Sequence, residues 1–186
     1  MRRSRAWRRR VRCSTAKTRP RSSARKRRWQ NAAAARIGRT RPPGFSLSLR
    51  PILARTEEAA WERAERILAA ARANQAKHAS SIFRKGSEPP KNVGSQRLLA
   101  AAAGGKVRDK RLWTEIAALT GGTGNSTALV GTPEQVTESL LDYWALGIDT
   151  FLIRGFDPLE DAIEYGRELI PRVRTAIGTH ARSRVA

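Results

Sequence analysis

The sequence predicts an α/β fold, and three features carry that prediction. GFSLSLRPILA (Gly44 to Ala54) alternates Phe45, Leu47 and Leu49 with Ser46, Ser48 and Arg50, the period of two of a strand with one buried face. Ile148 to Arg154 is a nearly continuous apolar run, as expected of a strand covered on both faces of a parallel sheet. Two helix starts punctuate this last third, Thr132-Pro133-Glu134-Gln135 and Asp157-Pro158-Leu159-Glu160. Each sets a capping side chain, then Pro at the first helical position, then a side chain that can reach back to the cap. Helix, strand and helix joined by tight connections form an α/β unit.

Taken in order, residues 1–31 show neither helical nor strand periodicity and too little apolar content to pack, so they are expected to be disordered. Structure is expected from Ala32. The strand over 45–53 has Pro51 near its end, and Thr56 then caps a helix with Glu57 and Glu58 in its first turn. Trp61, Ala64, Leu68 and Ala71 line one face of that helix to about Asn74. Gln75 to Val93 is polar and broken by Gly86, Pro89 and Pro90, which predicts a long loop. Helices are expected around Ser95–Ala103 and Val107–Leu119, with TGGTGNST (Thr120 to Thr127) as a loop. That loop lacks the Lys of a phosphate loop and does not clearly join a strand to a helix, so a plain turn is the simpler reading. Val136, Leu140 and Tyr143 or Trp144 form the stripe of the next helix, which Gly147 ends. In the final helix, Leu159, Ile163, Leu169 and Ile170 are expected inward.

The 186 residues carry a formal charge of +21, but unevenly. Residues 1–56 hold 19 of the 37 basic side chains and no acid, the first being Glu57, so the remainder is nearly neutral. Cys13 stands alone, which excludes an internal disulfide or a cysteine-based metal site. His78 and His180 are too far apart in sequence to form a local ligand pair, and no metal site is expected. No apolar run approaches the roughly 18 residues of a membrane helix. The N-terminus lacks the apolar core of a secretory signal. A cytoplasmic protein without a membrane partner is expected.

STALVGTPEQV followed by LGIDTFLIRGFDPLEDA, with VGSQRLL, GGKVRDKRLW and ARIGRTRPPGFSLSLRPILARTEEAAW upstream, resembles the bacterial-luciferase-like flavin-dependent monooxygenases. Within that family the chain is most similar to the alkanesulfonate monooxygenase branch. Order and spacing agree over about residues 35–175. The resemblance implies a (β/α)8 barrel using reduced FMN from a separate flavin reductase to oxidise a small organic substrate, with a possible homo-oligomer. In the sulfonate branch the reaction releases sulfite and an aldehyde. The chain is then expected to be a partial barrel: residues 1–31 a basic segment, 32–178 the last two strands with their helices, and 179–186 a tail.

The resemblance also implies where a ligand would sit, at the C-terminal ends of the barrel strands. Ser48 and Arg50 stand where the sulfonate branch has an Arg and a His. Thr120 stands nearest to the Arg that the branch places before its glycine-rich loop, and Phe156 replaces a tyrosine. Ser48, Arg50, Arg154 and Phe156 are therefore the substrate- or cofactor-facing candidates, and no catalytic residue is assigned. Arg50 suits an anionic substrate or the flavin phosphate, against the simpler alternative of a solvated strand-end arginine. Arg154 has the alternative of an ion pair with Asp157 or Glu160. Trp61, Trp113 and Trp144 are expected in the core.

A barrel of this type needs about 250 residues and eight strands, so the chain alone is expected neither to bind FMN tightly nor to turn over. The basic segment occupies the place of a family strand ending in an aromatic-Gly-Glu-x-Pro motif. With suitable synonymous codons, Cys13 to Pro20 shifted by two bases reads Leu-Tyr-Gly-Glu-Asp-Pro, consistent with a frameshifted start that rejoins the frame near Ala32–Arg36. The competing reading is a nucleic-acid-binding protein that uses the basic arm, with a steep salt dependence.

Overall fold

The alternating stretch after Phe45 becomes the central strand of the computed structural model, which describes residues 32, 34–39, 44–77, 90–122 and 127–183. The basic segment 1–31, Cys13, His78 and most of the loop expected after Gln75 lie outside these residues. β1 (Ser46–Leu53) runs through Pro51, as the expected span 45–53 does. It can do so because it changes partner halfway. Ser46–Leu49 pair in parallel with β5 (Thr150–Ile153), and Arg50–Leu53 pair in parallel with β4 (Ala128–Gly131). The Arg50 N–H points toward β4, to the Thr127 carbonyl at 2.9 Å, while the Leu49 carbonyl points toward β5 and accepts from the Arg154 N–H at 3.1 Å. Alternation turns the Pro51 nitrogen to the β5 side, just past the last β5 residue, where no donor is needed.

The sheet has five strands in the order β2-β3-β4-β1-β5. β2 (Val107–Arg108) and β3 (Leu112–Trp113) form an antiparallel hairpin that extends onto β4. The helix expected over 107–119 is therefore corrected to this hairpin plus the short α3 (Glu115–Leu119). The turn holds Asp109 at φ 50°, a conformation that interrupts a right-handed helix and that Asp tolerates. The reward is burial: Trp113 is 1% exposed. β4 is an addition to the two expected strands. Its four residues are buried throughout.

α1 (Glu57–Lys77) and α2 (Val93–Ala103) separate β1 from the hairpin, and α4 (Pro133–Ala145) links β4 to β5. The capping box at Thr132 and Gln135 forms in both directions, at 3.4 and 2.9 Å. Gly147, at φ 96°, turns the chain out of α4. After β5 come α5 (Pro158–Glu164), a π-turn over Tyr165–Leu169 and α6 (Ile170–Ser183). The π-turn lies just ahead of Pro171, which has no N–H for a regular i→i−4 bond. The expected tail from 179 begins inside α6.

One face of the sheet, carrying Leu47, Leu49, Leu53 and Leu129, packs with Val136, Leu140, Tyr165 and Leu169. On the other face Ile52, Ala128 and Val130 meet Ala60, Ala64 and Leu68 of α1 and Trp113. The lower part of that second face, with Ser46, Ser48, Thr150 and Leu152, carries no such cover among the described residues. β5 is accordingly half-buried on one face and exposed on the other, not covered on both as expected, and Leu152 is 53% exposed. Leu159 and Ile163 also face outward, at 67% and 40% exposure. The inward stripe at the end of the chain is Asp161, Tyr165 and Leu169, spaced by four. Among the described residues no helix is long and apolar enough to cross a membrane.

Candidate functional site

The split pairing of β1 brings the sequence-predicted residues together. Ser48 lies opposite Leu152 and Leu49 opposite Ile153. The Arg154 N–H to the Leu49 carbonyl carries the ladder one step further, which sets Arg154 beside Arg50. Residues in parallel register share a face, so Ser48, Arg50, Leu152 and Arg154 all stand on the partly uncovered side of the sheet. Phe156 joins them from the loop after β5. Its ring lies under the Arg50 guanidinium, 4.9 Å from centroid to Cζ, a cation–π distance. Arg50 also donates from Nη1 to the Gly155 carbonyl. Burial, followed by the neighbouring Arg154 charge, pulls the Arg50 guanidinium below its ordinary pKa.

The loop that presents Arg154 and Phe156 is held by a residue the sequence reading did not single out. Asp161 is 3% exposed. Its Oδ2 accepts the N–H groups of Phe156 at 2.6 Å and Asp157 at 3.0 Å, and its Oδ1 meets Arg63 of α1 at 2.5 Å. Asp157 caps α5 through Leu159 and Glu160, as expected, but the reciprocal side chain is Asp161 and not Glu160. Gly155 lies so close to Asp161 that a Cβ there would collide with it. Arg63 also binds the Leu53 carbonyl and Glu164, both at 2.8 Å, and Tyr165 donates to the Pro51 carbonyl at 2.5 Å. Burial, chiefly, raises the Tyr165 hydroxyl above its ordinary pKa, so it stays a donor.

A second network ties the chain after β1 to the chain after β4. Glu57 binds Arg111 through both carboxylate oxygens at 2.9 and 3.2 Å, Gln135 at 2.7 Å and the Trp61 ring N–H at 3.4 Å. The Arg111 hydrogen bonds lower the Glu57 pKa to about 2. Trp61 and Trp144 are half-buried, and only Trp113 of the three is fully in the core. Thr120 ends α3 with its hydroxyl on the Ile116 carbonyl. The TGGTGNST segment runs from α3 into β4, a helix followed by a strand, which is not the order of a phosphate loop; residues 123–126 lie outside the described part. No group of three potential metal ligands occurs among the described residues.

The order of these elements can be compared with known proteins. The family model described as luciferase-like monooxygenase matches residues 13–150. The chain belongs to the luciferase-like monooxygenase family. Among solved structures, a riboflavin lyase with modified FMN and substrate riboflavin superposes with a TM-score of 0.53 at 19% identity, over 87% of this chain and 38% of that one. An EDTA monooxygenase from Chelativorans sp. BNC1 gives 0.46 at 19% identity, over 88% of this chain and 41% of that one. The riboflavin lyase likeness supports the α/β fold. The chain spans about two fifths of the length of these structures. In this luciferase-like chain Arg50, Arg154 and the half-buried Phe156 stand together beside the exposed Leu152.

Proposed function

We propose that the chain is the C-terminal part of a flavin-dependent, luciferase-like monooxygenase that acts in the cytoplasm on a small organic substrate. Its ligand face is the side of β1 and β5 that carries Ser48, Arg50, Arg154 and Phe156. The observation that supports this most is the register that gathers these four on one side of the sheet beside the C-terminal end of β5, since strand C-terminal ends are where barrel enzymes carry their chemistry. Bound reduced flavin supplies the activation of oxygen. The residues of this chain supply binding and orientation. Arg50 and Arg154 hold negative charge, Phe156 backs the Arg50 guanidinium, and Leu152 keeps water from the apolar part of the ligand. The reduced flavin would come from a separate reductase. The resemblance through ALVGTPEQV and LGIDTFLIRGF supports the alkanesulfonate branch as the nearest relative within the family. Ser48, Arg50 and Phe156 replace that branch's own residues, which argues for a different substrate.

Three parallel strands occur among the described residues, against the eight that close such a barrel. The chain alone is therefore expected to bind FMN more weakly than micromolar in a fluorescence titration. Grafted in place of the matching C-terminal part of a family enzyme, residues 32–178 should restore micromolar FMN binding and reductase-coupled substrate oxidation. A folded graft that leaves FMN unbound would refute the proposal.

A further inference from the structure

The sheet ends differently on its two sides. At one edge β2 is two residues long and stands between Lys106 and Asp109, with Arg108 in the strand itself. A short, charged edge of that kind does not invite a further strand. At the other edge β5 reads Thr-Phe-Leu-Ile, four uncharged residues rich in strand formers, with no Pro or Gly among them. Its backbone is only half used. Thr150 donates its N–H to the Phe45 carbonyl and Arg154 donates to the Leu49 carbonyl. Alternation therefore turns the N–H and C=O of Phe151 and Ile153 away from β1. Those groups have no hydrogen-bond partner among the described residues, and unpaired strand groups are a template for pairing with another chain. Leu152, between them, is 53% exposed.

We propose that this edge is a self-association surface, on which β5 of a second copy of the chain pairs antiparallel about a two-fold axis at Leu152. The direction follows from charge. Asp149 precedes the strand and Arg154 follows it, and neither is ion-paired among the described residues. An antiparallel copy brings its Arg154 to the Asp149 end of β5, whereas a parallel copy sets Arg beside Arg and Asp beside Asp. The register follows from the backbone. Only Phe151 and Ile153 turn their groups outward, so Phe151 of one copy exchanges N–H to C=O bonds with Ile153 of the other. The residue on the axis is then Leu152, facing its own copy in a pair without hydrogen bonds, the kind in which side chains approach most closely. A two-fold axis normal to the sheet keeps the same face of both copies on one side, so each Leu152 covers the other. Such a contact is isologous and closes on itself, which stops association at the dimer.

The test is sedimentation equilibrium of the full chain at high salt, which screens the charge of the basic segment. A reversible monomer–dimer equilibrium is expected, filling over about 10–1,000 µM, because two short strands make a contact smaller than a standard interface. Leu152→Lys sets two like charges face to face at the axis and should weaken the dimer about tenfold or more. Its far-UV circular dichroism should match wild type, since the side chain is exposed. Val93→Ser, at an exposed residue of α2 toward the β2 edge, should leave the dimer as it is. Cysteine cross-linking in a Cys13→Ser background reads the register. Leu152→Cys should form a disulfide-linked dimer, because facing residues of such a pair lie within disulfide reach. Thr150→Cys should not, since in this register it stands opposite Arg154 of the other copy. A chain that stays monomeric throughout, leaving the edge to a different polypeptide, overturns the proposal. So does association that Leu152→Lys leaves intact or that Val93→Ser weakens equally, and so does cross-linking of Thr150→Cys as strong as that of Leu152→Cys. The dimer concerns no ligand and the graft tests the monooxygenase reading, so either can fail without the other.

Discussion

Asp161 does more than any other side chain to shape the loop after β5. A buried carboxylate is tolerated only when its charge and lone pairs are met, and here two backbone amides and Arg63 meet them. Asp161→Asn keeps the shape but replaces the charge, leaving Arg63 with Glu164 alone and placing an NH2 group where acceptors are needed. A loss of about 2–3 kcal/mol is expected, read from urea midpoints. The backbone order of Gly155 and Phe156 should fall with it in amide relaxation. Nothing local in the sequence marks Asp161. It follows an Asp-Pro-Leu-Glu helix start in which Glu160 has the expected spacing, and its partner Arg63 is 98 positions away. Ser48, Arg50, Arg154 and Phe156 are named through the family resemblance, and the register of β1 and β5 brings them together. The alternative for Arg154, an ion pair with Asp157 or Glu160, is not formed among the described residues, where Asp157 instead caps α5.

Among elements, the joint between α1 and α4 depends on Glu57. Its carboxyl is held at about 2 against an ordinary 4.5. A depressed carboxyl stabilises the fold at pH values above its unfolded pKa and loses that contribution as pH falls through the folded one. The tie between the start of α1, Arg111 and Gln135 should therefore weaken between about pH 4.5 and 2. In urea titrations over that range, wild type should lose stability more steeply than Glu57→Gln, and parallel curves would disprove the assignment. The helices with caps, α1 and α4, could be read from the sequence because a cap and a 3.6-residue stripe are local signals. The β2–β3 hairpin and β4 could not. Strands of two to four residues are too short to display a period, and their identity is fixed only when Leu112 and Trp113 find Leu129 and Ala128.

For the whole molecule, charge and fold can be tested apart. Ala34 is buried, so a chain beginning at Ala32 keeps every core residue described above. Its formal charge drops from +21 to +7, because residues 1–31 contain 14 basic side chains and no acid. Far-UV circular dichroism and the thermal midpoint should be unchanged in the shortened chain. Retarded migration of DNA at low salt should disappear with the segment if it occurs in the full chain. A collapsed thermal transition in the shortened chain would show that the segment belongs to the domain. The nucleotide sequence of this region, translated in all frames, tests the frameshift directly: absence of barrel-like sequence in the other frame rules it out.

Pro51 has a consequence for how the ligand face could change over time. The end of the β1–β5 ladder is written into β1, by a residue that offers no donor to a longer β5, and the carbonyl left on that side is taken by Tyr165. The residues after Arg154, whose N–H still bonds the Leu49 carbonyl, are thus released from sheet geometry whatever their identity. Mutations at Arg154 or Phe156 can retune what is bound without shifting the register of the strands beneath, so ligand preference and scaffold can drift separately.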